Sequence, residues 1–214
     1  MITENSRATL ESISFDASRY TFRNETERQR TWLTARGDGI IVYFLPGPPE
    51  LPREARDTAD LQEYYRGRIG NGRVQMVEFS LLELDGIPCI WTILKRPHQP
   101  RGMNYLGSLA IPFAEFSFIL KIQCAERGIT GIRETFLLAQ ARNEGRVKLG
   151  ADGKMINGDW NPDAKQHDEW FPDHPLARLR REFANIQRSL RVAEKVKAEQ
   201  LFGLPENISE TRAR

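Results

Sequence analysis

The chain has 214 residues, of which 40% are hydrophobic and 28% are charged, as in an ordinary globular protein. Its 31 basic and 29 acidic residues nearly balance, so the net charge gives no reason to expect nucleic acid or a membrane surface as a partner. No apolar run reaches the roughly 18 residues of a transmembrane helix, and the N-terminus does not resemble a secretory signal, so we expect a cytoplasmic protein.

The first third of the chain shows strand patterns followed by one helix. Residues 1–19 are polar and are expected to be flexible. The run at 40–45 is continuously apolar and rich in β-branched and aromatic residues, which is typical of a strand buried on both faces. After a proline-rich connector, Asp57 can cap a helix over residues 59–68, whose buried stripe includes Leu61. Three strands are predicted in this part, over residues 19–24, 28–35 and 40–45.

The centre of the chain predicts an antiparallel sheet that runs into a helix. Every second residue from Phe116 to Cys124 is apolar, which indicates a strand with one buried face. Asp85-Gly86 supplies the positive φ angles of a two-residue hairpin turn, so the strands on either side of it are antiparallel neighbours. A helix over 131–143 is apolar on most sides, so we expect it to lie between the sheet and another layer. The predicted strands cover residues 73–84, 87–95, 103–110 and 113–124.

The last part of the chain, residues 146–205, predicts an arm and a long helix. The arm is irregular, but Trp160, Trp170 and Phe171 are too apolar for a free linker and should pack on the domain. The helix begins near Asp173, ends near Gly203, and carries an apolar stripe that suits a core or a partner helix. Residues 206–214 are expected to be a disordered tail. The stripe consists of Leu176, Leu179, Phe183, Ile186, Leu190 and Ala193.

The element order over residues 20–145 resembles the PsbP/Mog-type fold, an antiparallel sheet covered by helices on both sides. The resemblance rests on Asp85-Gly86 before a strand that contains Trp91, on the strand at 116–124, and on the following Glu126 and Gly128. It implies an α+β fold, with a meander of antiparallel strands flanked by helices as an α/β/α sandwich over 20–145. Members of that group are mostly non-enzymatic binders, among them a photosystem subunit, a Ran-binding factor and chaperones of type VI secretion effectors. Residues 146–214 have no counterpart in it.

The turn at 126–134 is the predicted site for an anion. Gly131 begins a helix whose free backbone N–H groups attract negative charge, and the neighbouring side chains add further donors. The alternative is a strand-to-helix turn whose opposite charges pair with one another. A phosphate or carboxylate would be bound by Arg127, Thr130, Gly131 and Arg133.

No catalytic group, cofactor or metal site is predicted from the sequence. The histidines lack the spacing of a metal pair on a helix, although 167–169 and 173–174 could converge as nitrogen and oxygen ligands. Both cysteines fall inside predicted strands and are expected to be buried thiols; the alternative is a disulfide between neighbouring strands.

The predicted function is therefore the binding of another protein, as an effector chaperone, an immunity protein or an adaptor. An enzyme or small-ligand binder that uses the anion site is the alternative. Self-association through the C-terminal helix is a further option, and nucleic acid is not expected because recognised binding motifs are lacking. The C-terminal helix also supplies the predicted partner-binding residues, Arg178, Arg181, Arg188 and Arg191.

Overall fold

Seven antiparallel strands form the central sheet of this computed structural model, which describes residues 8–52, 57–70, 72–150, 155–158 and 160–204. The strands lie in the order β2-β3-β4-β8-β7-β6-β5, and four helices accompany them, which confirms the α+β fold. The predicted tail at 206–214 lies outside the described residues. The elements are β1 (Ile13–Ser14), β2 (Thr21–Thr26), β3 (Gln29–Leu33), β4 (Gly39–Pro46), α1 (Thr58–Ile69), β5 (Gln75–Leu84), β6 (Ile87–Pro97), β7 (Met103–Pro112), β8 (Phe116–Ala125), α2 (Ile132–Asn143), β9 (Val147–Leu149), β10 (Met155–Gly158), α3 (Pro175–Ser189), β11 (Arg191–Val192) and α4 (Glu194–Lys197).

One face of the sheet carries the main core and is covered by α3. Alternate residues of β8 point into this core, as the period-two pattern predicted, and Phe118, Leu120 and Ile122 are fully buried. The indole ring of Trp91 on β6 stacks on the Phe183 ring of α3, with ring centroids 3.6 Å apart. The apolar stripe of α3 is therefore used within the chain, against β7 and β8.

The opposite face of the sheet is covered by α1 only over β5 and β6. Leu61 of α1 is fully buried against Leu81 and Ile90. The other half of this face is partly exposed, and the Lys121 ammonium lies 5.2 Å from the ring centroid of Tyr43 on β4. The prediction that both faces of β4 are buried is therefore wrong, because no helix extends over this strand in the described part of the chain.

The hairpin between β5 and β6 has the predicted turn. Asp85 and Gly86 have φ angles of 52° and 79°, which two-residue hairpin loops require. The Asp85 carboxylate also accepts the Val192 backbone N–H at 2.8 Å and pairs with the Lys197 ammonium at 2.8 Å. The turn thus fixes the C-terminal segment as well as the strand register.

The two ends of the described chain pair with each other. β1 and β11 form a short antiparallel pair, and Leu10 and Ile13 are buried in the main core, so residues 8–14 are packed where a flexible segment was expected. The helix that begins at Pro175 ends at Ser189 and does not run on to Gly203 as predicted. The chain bends there because β11 must meet β1, and α4 follows separately. No helix among the described residues is both long and apolar enough to cross a lipid bilayer.

The position of α2 also differs from the expectation. The helix packs against β9 and the arm, and only one side of it is buried, through Arg133, Leu137 and Ala141. Ile132 and Phe136 on its other side are 52% and 54% exposed. The helix is therefore not enclosed between two layers, and its apolar outer side is available at the surface.

Gly107 of β7 lies where Trp91 and α3 approach the sheet most closely. A Cβ atom at this position would lie 2.5 Å from the Trp91 ring and 2.9 Å from Leu179. We therefore expect Gly107→Ala to lower the free energy of unfolding by about 1–3 kcal/mol, because added atoms in a filled core force neighbours apart. Denaturant unfolding followed by far-UV circular dichroism measures the change.

Gly39→Ala is the matched control for Gly107. Gly39 lies at the start of β4, and a Cβ atom there would meet no atom within 4 Å. Its unfolding free energy should stay within about 0.5 kcal/mol of the wild type. Equal effects of the two substitutions would contradict the close approach at Gly107.

Candidate functional site

Glu126 lies just after β8, where the chain leaves the sheet and turns towards α2. Its carboxylate accepts the backbone N–H groups of Met103 at 2.7 Å and Gly131 at 2.9 Å. Gly102 has a φ of +91°, and a Cβ atom there would lie 3.1 Å from the carboxylate. The glycine therefore lets the carboxylate reach the Met103 amide, and the Glu126 side chain is only 6% exposed.

Glu134 and His174, at the starts of α2 and α3, meet Glu126. Nε2 of His174 lies 3.9 Å from Oε1 of each glutamate, which is too far for a hydrogen bond. The hydroxyl of Tyr105 donates to Glu134 at 3.4 Å, and its ring packs edge-on against His174. Nε2 of His174 and Oε2 of Glu134 are buried atoms without a hydrogen-bond partner among the described residues. We call Glu126, Glu134 and His174 the Glu–His cluster.

Four cations around the Glu–His cluster are paired with other carboxylates, and Arg127 beside it donates to backbone carbonyls. Four cations and four carboxylates compensate one another there, so the charges of Glu126 and Glu134 have no cationic partner in the described part of the chain. Uncompensated carboxylates are costly to bury unless they bind a cation or a metal ion. The compensated pairs are Lys95 with Asp163, Arg133 with Asp168, Arg178 with Asp38, and Arg180 with Glu78.

His174 is neutral at physiological pH. Burial, together with the nearby charges of Arg133 and Arg178, lowers the pKa of its imidazole to about 3. The Leu176 backbone N–H donates to Nδ1 at 3.3 Å, so Nδ1 has no proton and the ring proton is on Nε2. The Leu176 N–H therefore keeps the ring proton on Nε2, which points between the carboxylates of Glu126 and Glu134. Both carboxylates are slightly too distant to accept this proton.

The arm, residues 160–172, is held in place by Arg133. The guanidinium is completely buried and donates to the carbonyls of Pro162 at 2.6 Å and Ala164 at 2.9 Å. It also pairs with the Asp168 carboxylate at 2.8 Å, which Arg180 of α3 contacts at 3.0 Å. Two helices thus fix one short segment that has little regular structure.

A cleft of about 640 Å³ lies between the arm and the 126–134 turn, and we call it the arm cleft. Its apolar walls are Ile129, Ile132, Trp170 and Phe171, and Phe136 packs edge-on against Phe171 beside it. Glu126 and His174 of the Glu–His cluster also line it. Its basic residues include Arg36 and Arg127.

Three of the four residues of the predicted anion site have donors that bind other groups of the chain. The Gly131 N–H binds Glu126, and Arg133 binds the arm. Arg127 donates to the carbonyls of Arg36 and Gly37. The methyl group of Thr130 lies beside Gly102, 2.8 Å from where a Cβ atom would be. The carboxylate at this helix N-terminus is thus the chain's own Glu126, and the anion site stays a prediction.

The four arginines predicted to bind a partner do not form one surface. Arg178 is buried and makes a bidentate contact with Asp38. Arg181 is exposed and donates to the Pro172 carbonyl at 3.0 Å. Arg188 and Arg191 lie at the far end of α3 and donate to Asn185 and to the Leu190 carbonyl. The structure therefore separates Arg178 from the other three.

The Glu–His cluster was not predicted from the sequence. The sequence suggested that His174 could converge with residues 167–169 as metal ligands. The structure brings His174 to Glu126 and Glu134 instead. These residues lie 48 and 40 positions from His174, so no local spacing could reveal the cluster. The sequence signal for the arm cleft was the aromatic content of the arm, since Trp170 and Phe171 both line the cleft.

Comparison with known proteins yields no family. No protein family model and no curated protein matches the chain. A solved structure from Bacteroides thetaiotaomicron VPI-5482 is similar over 55% of this chain and 40% of its own, with a TM-score of 0.37 and 10% identity. A similarity this weak supports no argument, and the resemblance to the PsbP/Mog-type fold stays a prediction.

Proposed function

We propose that this chain is a non-enzymatic protein-binding protein of the cytoplasm, such as an effector chaperone, an immunity protein or an adaptor. The arm cleft is its docking site. One observation carries this proposal: Ile129, Ile132, Phe136 and Trp170 are four of the seven large apolar side chains that are exposed among the described residues. Exposed apolar groups gathered in one place are typical of interaction sites.

The partner segment is apolar and acidic. Tryptophan, phenylalanine and arginine are enriched at protein interfaces, and all three contribute to the arm cleft. Arg127 contacts only backbone carbonyls, so no described carboxylate neutralises its charge. A carboxylate on the partner complements this charge, and an aromatic or branched side chain beside it fits between Trp170 and Ile132.

A protein segment suits the arm cleft better than a small molecule does. Small-ligand sites bury most of the ligand surface. Ile129 is 81% exposed and Trp170 is 55% exposed, so the walls extend into solvent and a larger partner is needed to cover them. Self-association through α3 has less support, because the apolar stripe of this helix is buried against the sheet.

Peptide display tests this proposal directly, because it needs no identified partner. Random peptides are selected on the purified full chain, and the enriched peptides should combine Asp or Glu with an aromatic or branched residue. Fluorescence anisotropy then measures the affinity of one synthesised peptide. Trp170→Ala should weaken binding roughly 30-fold, as expected for the loss of about 2 kcal/mol at an interface hot spot.

Phe22→Ala is the matched control, because Phe22 is 53% exposed on β2 and does not line the arm cleft. It should leave the affinity unchanged. The charge is tested with a peptide whose acidic residue is replaced by its amide: Arg127→Ala should remove the difference between the two peptides. Enrichment of basic peptides, or equal losses in Trp170→Ala and Phe22→Ala, would contradict the proposal.

A further inference from the structure

We infer that the Glu–His cluster is a binding site for a divalent transition-metal ion, coordinated by Glu126, Glu134 and Nε2 of His174. This inference does not depend on the arm cleft as a docking site. It starts from three ligand atoms that all lie within 4.8 Å of one another.

The spacing of the ligand atoms suits an ion. Metal–ligand bonds of about 2.0–2.2 Å place tetrahedral ligands about 3.3–3.6 Å apart. The two distances from Nε2 of His174 are 3.9 Å, so a movement of a few tenths of an ångström brings each oxygen into range. The atoms are too far apart to bind one another and close enough to bind a common ion.

Unpartnered atoms point to the same conclusion. His174 is 6% exposed, and its Nε2 has no hydrogen-bond partner among the described residues, nor has Oε2 of Glu134. Glu126 is held by the amides of Met103 and Gly131, the kind of outer contact that orients a metal ligand. Since neither Glu126 nor Glu134 forms an ion pair with a lysine or arginine in the described part of the chain, a divalent ion would balance their two charges.

The ligand types select the kind of metal. Imidazole suits zinc, copper, iron and nickel, whereas magnesium and calcium prefer oxygen ligands. Three protein ligands leave a coordination position for water, as in many catalytic zinc sites. Glu126 and His174 both line the arm cleft, so this position faces the cleft.

Coordination changes the tautomer of His174. A metal on Nε2 requires the ring proton to move to Nδ1, which now accepts the Leu176 N–H at 3.3 Å. A protonated Nδ1 cannot accept, so the Leu176 N–H loses this long hydrogen bond when the metal is bound, and the coordination bond must offset that loss. Because the proton changes position, the nitrogen chemical shifts of the His174 imidazole change when a metal binds to Nε2. They do not change when the metal binds elsewhere on the surface.

Calorimetry on the chelator-treated, untagged full chain tests the inference, with Zn²⁺ and Mg²⁺ as the probes. We expect one Zn²⁺ per chain, much weaker binding of Mg²⁺, and a Zn²⁺-dependent shift of the His174 ring proton to Nδ1. Glu134→Gln keeps the shape of the side chain but removes its charge, and should weaken Zn²⁺ binding by more than about tenfold.

Two control variants locate the ion. Glu144→Gln, at the exposed end of α2, and His98→Gln, on an exposed loop, should bind Zn²⁺ as the wild type does. Circular dichroism confirms that each variant is folded. Absence of Zn²⁺ binding, binding that survives Glu134→Gln, or binding lost in His98→Gln would overturn the inference. Trp170→Ala should retain Zn²⁺, which separates this test from that of the docking site.

Discussion

Replacing Arg133 with methionine should lower the free energy of unfolding by about 3 kcal/mol, although Arg133 belongs to no apolar cluster. Methionine fills a similar volume, so the lost stability comes from the missing hydrogen-bond donors of the guanidinium. The carbonyls of Pro162 and Ala164 lose their partners, and buried acceptors without partners are costly. Arg180 still contacts Asp168, which keeps the loss at the lower end of the range for a broken buried ion pair. Denaturant unfolding measures it.

Arg142→Met is the control for Arg133, since Arg142 lies on the same helix and is exposed. Its unfolding free energy should remain within about 0.5 kcal/mol of the wild type. Hydrogen exchange adds a local readout: amides of residues 160–172 should exchange faster in Arg133→Met than in Arg142→Met. Similar stability of the two variants would mean that the arm does not depend on the buried guanidinium.

The ion pair between Arg178 and Asp38 should have an effect at least as large. The guanidinium makes two hydrogen bonds of 2.8 Å to the carboxylate, and the side chains are 8% and 2% exposed. Arg178→Ala and Asp38→Ala should each cost about 3–5 kcal/mol, because each leaves an uncompensated buried charge. The pair joins the β3–β4 turn to α3, so its loss loosens the cover of the main core.

A double-mutant cycle separates the ion pair from the loss of packing. The double variant should be less destabilised than the sum of the single variants by about 0.5–3 kcal/mol, because removing both charges leaves neither unpaired. Arg181→Ala is the control on the exposed side of α3 and should have little effect. Additive single effects would show that the two charges do not stabilise each other.

Local patterns predicted the sheet well. The period-two alternation at Phe118, Leu120 and Ile122 and the turn at Asp85-Gly86 depend only on neighbouring residues, and both are confirmed. The end of α3 at Ser189 could not be predicted in this way. It depends on the pairing of β11 with β1, whose residues are distant in the sequence. The apolar stripe itself continues past the point where the helix stops.

The candidate site was less predictable than the sheet, for the same physical reason. The helix start at Gly131 was predicted correctly, and its backbone N–H binds the carboxylate of Glu126, five residues earlier, while the anion site stays a prediction. Arg133, one residue of the predicted anion site, is buried beneath the arm and donates to its carbonyls. Charged residues can pair with one another within a fold or remain available to a ligand, and the local sequence does not distinguish these two outcomes.

The main core is covered by α3 and α4, which follow all seven strands in the sequence. Residues 21–125 complete the seven strands, but Leu176, Leu179 and Val196 reach the apolar face only after the arm has been made. During synthesis by the ribosome, the apolar face of the sheet therefore stays uncovered until α3 and α4 have emerged. A stop codon before α3 removes α3 and α4 and leaves this apolar surface exposed. The truncated chain should therefore aggregate and be recovered in the insoluble fraction.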